Sequence, residues 1–183
     1  FRQDFKKSNL IIDTSYTQGF RKEEEKKSKG SRTHFFSKLF YNLSSSDDII
    51  SNLELNIQQV NNNSYFKAHN IKTSLVDSEQ NILDNNLSYN FYKDDTFFDV
   101  DINVFEDLTK EGGEKYEYLF PYLTFSKNIL TSENYGLFDF ESILRARNYD
   151  VNKQTEFFVN NIDWSSNKWI SKLGFDSQLK GVL

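Results

Sequence analysis

The sequence has no cysteine and no methionine, one proline, seven glycines and two histidines among its 183 residues. Absence of cysteine excludes a disulfide framework, a thiolate nucleophile and cysteine-ligated zinc, and leaves the redox compartment open. His34 and His69 have no second ligand at metal spacing, and a polar face or a loop tip accounts for each. No glycine-rich phosphate cradle, G-x-S-x-G elbow or H-E-x-x-H helix is present, and nothing calls for a cofactor. No apolar run reaches the ~18 residues of a transmembrane helix, which excludes that element and says nothing of membrane strands. A basic excess is missing too: the net charge of −5 argues against nucleic-acid binding. A chain that opens on Phe1 and lacks methionine is expected to be an internal fragment, so the want of a signal peptide carries no information on export.

What the chain has in quantity is alternation. Hydrophobic residues are only 37% of the total while aromatics reach 16%, below the roughly 45–50% apolar usage of a soluble domain. A sheet with one wet face needs only every second residue to be apolar. The clearest case is Phe97–Leu130. Phe98, Val100, Ile102 and Val104 fall on one side of an extended chain, Asp99, Asp101 and Asn103 on the other. A turn at Lys110–Lys115 uses the Gly112-Gly113 pair. The return places Leu119, Pro121, Leu123 and Phe125 on one face, and Tyr116, Tyr118, Phe120, Tyr122 and Thr124 opposite. Each arm has about ten residues, longer than the usual globular strand and close to a tilted membrane-spanning one.

The same rhythm runs through the chain. Asn9–Thr17 and Thr33–Leu43 read as strands around a charged connection, Arg21–Arg32, which is a solvated hairpin tip or a contact for ions or lipid headgroups. Ile49–Val60 sets Leu53, Leu55 and Ile57 against Asn52, Glu54, Asn56 and Gln58. Asn61–Ile71 breaks the two-residue period as a helical turn or an irregular loop. Thr73–Val76 and Asn86–Tyr92 follow as strands, with Leu87, Tyr89 and Phe91 on one face. Tyr135–Asn148 sets Phe138, Phe140, Leu144 and Ala146 against Asp139, Glu141, Arg145 and Arg147; Thr155–Trp164 and Lys168–Lys180 complete the series. No linker divides residues 1–183, so the expected architecture is all-β: an antiparallel meander of long strands forming a single partial barrel domain.

Catalysis finds no constellation. Asp99 and Asp101 share one face and form a carboxylate pair on paper, but alternating acids are ordinary on a lumen wall, and no nucleophile and base accompany them. The wet rows suggest a path instead. Asp99, Asp101, Asp139, Glu141, Arg145 and Arg147 would line the lumen, where opposite charges pair across strands or Arg meets phosphate in a bidentate fork. Leu53, Leu55, Ile57, Phe98, Val100, Ile102, Val104, Leu119, Leu123 and Phe125 would form the lipid-facing wall.

Two segments carry a family likeness. Phe105-Glu-Asp-Leu108, followed by the aromatic-Glu-Tyr-Leu-x-Pro-Tyr-x-x-Phe run of Tyr116–Phe125, resembles the barrel domain of the LptD, or organic-solvent-tolerance, family of lipopolysaccharide-assembly proteins. Asn61–Ile71 is similar to that family's Asp-x-x-Tyr-Leu-x-x-Tyr-x-Ile segment through Tyr65, Phe66 and His69, with Asn63 or Ser64 replacing the acid. The resemblance implies a barrel of about two dozen strands in the outer membrane of a Gram-negative bacterium. It implies passage of lipopolysaccharide from the periplasm to the outer leaflet, with an LptE-type lipoprotein plug and a periplasmic Lpt bridge as partners. The family's periplasmic sheet domain, its cysteines and its opening seam are not identifiable. The chain closes Lys-Gly-Val-Leu without a terminal aromatic, and both ends are expected to be truncated. Another outer-membrane porin or uptake-receptor barrel, and a soluble β-sandwich binding module, are the alternatives.

Overall fold

The structure, a computed structural model, describes residues 1–23, 26–44, 46–63, 65–68, 71, 73–77, 79–149 and 153–183, with the backbone alone for residues 18–31, 67 and 68. Its strands are β1 (Arg2–Asp4), β2 (Ser8–Glu23), β3 (Lys26–Asn42), β4 (Ile49–Val60), β5 (Ile82–Lys93), β6 (Thr96–Asp107), β7 (Tyr116–Ser132), β8 (Gly136–Tyr149), β9 (Lys153–Ser165), β10 (Trp169–Ile170), β11 (Asp176–Ser177) and β12 (Lys180–Val182). One helical turn, α1 (Tyr65–Ala68), and a 3₁₀ turn at Gly112–Lys115 interrupt them. Ten strands form one antiparallel sheet in the order β1 to β9 and then β12. Every neighbour but the last is a neighbour in sequence, so the chain is a meander; the sheet is open, with β1 and β12 at its edges. No helix is long and apolar enough to cross a membrane.

Strand pairing carries the alternation across the whole sheet. Ser8, Tyr41, Leu53, Tyr89, Val100, Leu123, Leu144 and Phe158 stand opposite one another in turn from β2 to β9. Opposed residues share a face, so this row is apolar or aromatic almost throughout. The adjacent row, Asn9, Phe40, Glu54, Ser88, Asp101, Tyr122, Arg145 and Phe157, lies on the other face and is mixed and largely polar. Leu10, Leu39, Leu55, Leu87 and Ile102 extend the apolar face on one flank, and Phe91, Phe98 and Phe125 on the other.

A bulge in β7 corrects one face assignment. Asp101 pairs with Tyr122 but Asn103 with Leu119, and on the other side Arg145 pairs with Tyr122 while Arg147 pairs with Leu119. β7 therefore holds one extra residue at Phe120-Pro121 relative to both neighbours. Strict alternation through Tyr116–Phe125 puts Leu119 with Leu123 and Phe125, whereas the register puts Leu119 on the polar face and turns Tyr116 and Tyr118 to the apolar one. A bulge of this kind reverses the sidedness of whatever precedes it.

Other boundaries differ from the sequence reading. The charged Arg21–Arg32 segment is not a loop throughout: the ladder continues to Glu23 opposite Lys26. Thr73–Val76 is bent rather than extended, and Val76 turns into a buried cluster. Lys168–Lys180 is broken by Gly174, whose φ of 84° reverses the chain so that β10 pairs with β11. Ser64 and His69 lie outside the described residues.

The buried cluster of Phe36, Phe66, Val76, Leu83 and Leu108 sits at one end of the sheet. There β4 and β5 part beyond Asn56 and Asn86, and Gln58 fills the gap. Its Oε1 accepts the Asp84 N–H at 2.9 Å and Gln80 Nε2 at 3.0 Å, while its Nε2 donates to the Leu75 carbonyl at 3.3 Å. The link between β4 and β5 is thereby folded back against the sheet.

Deleting Phe120, which is 60% exposed, removes the extra residue and keeps Leu119 opposite Asn103 and Tyr122 opposite Asp101. The expected outcome is a retained strand spectrum in far-UV circular dichroism. Deleting Leu55, by contrast, swaps the faces of half of β4 and is expected to abolish folding under the same conditions.

Candidate functional site

The polar face brings all six charged residues singled out above to one side. Asp99 and Asp101 alternate along β6, and Asp139, Glu141, Arg145 and Arg147 along β8. They do not converge on a reacting centre. Asp99 stands between Asn90 and Thr124, and Asp101 between Ser88 and Tyr122, so each carboxylate has neutral hydroxyl or amide neighbours across the ladder. Of the ten wall candidates, Leu53, Leu55, Ile57, Phe98, Val100, Ile102, Val104, Leu123 and Phe125 share the opposite face, and Leu119 does not.

Amide side chains are paired along the same face from β4 to β9. Asn52 Nδ2 donates to Asn90 Oδ1 at 3.3 Å, and Asn86 Nδ2 to Asn103 Oδ1 at 2.6 Å. Asn161 Nδ2 donates to Glu141 at 3.0 Å and Asn128 Nδ2 to Asp139 at 2.9 Å. These side chains satisfy one another across neighbouring strands, as cross-strand pairs do.

The two arginines have different surroundings. Arg147 Nε and Nη2 donate to Glu117 Oε1 at 2.8 and 2.7 Å, and its guanidinium lies 4.8 Å from the centre of the Tyr149 ring. Arg145 is exposed, and its ladder neighbours are Tyr122 and Phe157. An open cleft of about 460 Å³ lies here, lined by Tyr122, Ile143, Arg145, Arg147, Tyr149, Thr155 and Phe157.

A second polar cluster lies where α1 meets the sheet. The Tyr65 hydroxyl donates to His34 Nδ1 at 2.7 Å, His34 Nε2 donates to Asp13 Oδ1 at 3.2 Å, and Ser15 Oγ donates to the Tyr65 oxygen at 3.1 Å. Carboxylate acts only as an acceptor here, which fixes this direction of donation for a neutral imidazole. The His34 ring also stacks on Phe36 with centroids 4.5 Å apart. Sequence reasoning placed His34 on a polar face but missed this network, since its partners lie 21 and 31 residues away. Tyr65 and His34 are buried, so the network serves to seat α1 on the polar face.

Together these features define an antiparallel meander with one apolar and one polar face, carrying an arginine-aromatic cleft on the latter. Comparison with protein-family models, curated proteins and solved structures finds no match.

Replacing Tyr65 by Phe deprives the buried His34 Nδ1 of its donor. A stability loss of about 1–3 kcal/mol is expected in equilibrium urea unfolding, together with faster amide exchange in α1.

Proposed function

We propose that the chain forms part of the wall of an outer-membrane β-barrel of the lipopolysaccharide-assembly type, whose polar face lines the route of the lipid's headgroup. One observation carries this reading: a continuous apolar face spans β2 to β9 while the buried apolar cluster is confined to one end. The apolar face is therefore left to be covered by something other than this chain. A soluble sandwich buries such a face against a second sheet, and among the described residues the only other sheet is the two-stranded β10-β11 pair.

Dimensions support hydrocarbon as the cover. Ile49 to Ile57 in β4 and Phe138 to Ala146 in β8 each give an apolar band about 26 Å long at ~3.3 Å per residue. Nine residues is within the ~9–11 of a tilted membrane-spanning strand. Beyond Ile12 in β2, and before Ile162 in β9, the strand edges lack a ladder partner among the described residues, as they would if further strands completed a barrel.

The cargo rests on the family likeness of Phe105–Phe125 and Tyr65–Ile71. On that reading lipopolysaccharide crosses from periplasm to outer leaflet, an LptE-type lipoprotein and a periplasmic bridge act with the barrel, and no covalent chemistry takes place. The polar face suits such a path because its amides and arginines can exchange hydrogen bonds with sugar and phosphate without a deep energy well.

The experiment pairs a placement test with a cargo test. Lys at Leu55, Ile102 or Leu123 is expected to cost about 2–4 kcal/mol when folding into lipid vesicles. Lys at Asn56, Asp101 or Tyr122 should cost less than about 1 kcal/mol, and equal tolerance on both faces would remove the membrane reading. Depletion in the source cell is then expected to lower surface lipopolysaccharide. Unchanged surface lipid with impaired solute uptake would reassign the barrel as a porin or uptake receptor.

A further inference from the structure

We propose that the cleft around Arg145 is a binding site for a phosphate-bearing sugar. The proposal concerns the polar face alone and stands whether hydrocarbon or protein covers the apolar one.

The argument begins with charge. The nearest side chains on Arg145's own face come from Ile143 and Arg147 along β8, Tyr122 and Thr124 across β7, and Phe157 and Thr155 across β9. None is acidic. Arg147 is matched by Glu117, so the excess positive charge of this region resides on Arg145. In a chain of net charge −5, an exposed guanidinium without an adjacent carboxylate is an anion site held open by its surroundings. A guanidinium presents donors in a planar fork suited to the oxygens of one phosphate.

The rest of the ligand follows from the walls. Tyr122 and Phe157 flank Arg145 in one ladder row, and Phe157 leaves 53% of its surface exposed. Exposed rings beside polar groups offer a platform to the C–H face of a sugar, while the Thr155 hydroxyl supplies a hydrogen-bonding partner for its hydroxyls. A cleft of about 460 Å³ falls within the range of small-molecule sites, ~300–1,000 Å³, and accommodates a monosaccharide phosphate.

Titration calorimetry on the chain, in phosphate-free buffer of low ionic strength with a neutral detergent, tests the proposal using glucose 1-phosphate, glucose, inorganic phosphate and adenosine monophosphate. Glucose 1-phosphate is expected to bind at least tenfold more tightly than either glucose or phosphate alone. Arg145→Gln should weaken it at least tenfold, Arg145→Lys by less, and Phe157→Ala by about threefold to fivefold. Both side chains are exposed, so each variant is expected to keep the wild-type circular dichroism spectrum, and Arg145→Lys provides the reading if Arg145→Gln does not fold. Absence of glucose 1-phosphate binding, or equal binding by the Arg145 variants, overturns the site. Equal affinity for inorganic phosphate, or tighter binding of the nucleotide, overturns the sugar assignment. None of these outcomes depends on membrane insertion or on lipid export, which the vesicle and depletion experiments address separately.

Discussion

The structure depends on the pleat. Each strand sends alternate side chains to opposite sides, and the antiparallel ladder holds neighbouring strands in a register that preserves this sorting from β2 to β9. Once Tyr41, Leu53, Tyr89 and Val100 stand in one row, a one-residue slip of any strand would bring a polar side chain into an apolar neighbourhood and an apolar one among amides. Register is thus set by all rows at once. The bulge at Phe120-Pro121 shows how a local exception is accommodated: its extra residue, absorbed against both neighbours, changes the side on which Leu119 and the residues before it stand.

The polar face is organised by neutralisation rather than by convergence. Amide pairs on β4, β5 and β6 satisfy each other, Glu141 receives Asn161, and Arg147 is held by Glu117 and Tyr149. Arg145 differs because its ladder partners are rings, which shape a cleft and leave its charge open. Among the described residues the charged groups of this face are spread over several ladder rows rather than gathered in one cluster, and the buried His34 ties α1 to β2 and β3 through Tyr65 and Asp13.

Much of this was legible in the sequence because alternation is a local property. The faces of Leu53–Ile57, Phe98–Val104 and Asp139–Arg147 follow from counting by twos, and the register agrees with that count. What escaped depended on distant partners. Leu119 changes side because β6 and β8 each offer one position fewer than β7 across the bulge, which no periodicity within Tyr116–Phe125 reveals. Thr73–Val76 has a strand-like composition, but Val76 is drawn into the cluster with Phe36 and Leu108, which lie far from it in the chain. The His34 network needs Asp13 and Tyr65 from segments on either side of it in the chain, and the difference between Arg145 and Arg147 lies in cross-strand residues. The break in the two-residue period at Asn61–Ile71 did mark the segment that carries α1 and contributes Phe66 to the buried cluster.

The meander itself bears on how the sheet comes together. Because β2 to β8 each pair only with their neighbours in sequence, assembly of these strands can advance one hairpin at a time, without distant parts of the chain having to meet. The exception is the link between Val60 and Ile82. Closing a loop of roughly twenty residues instead of a two-residue turn costs about 2 kcal/mol more in chain entropy, and it is here that Phe36, Phe66, Val76 and Leu83 are gathered. The apolar cluster therefore lies at the slowest joint of the sheet, where side-chain burial compensates for the lost proximity and ties the first three long strands to the rest.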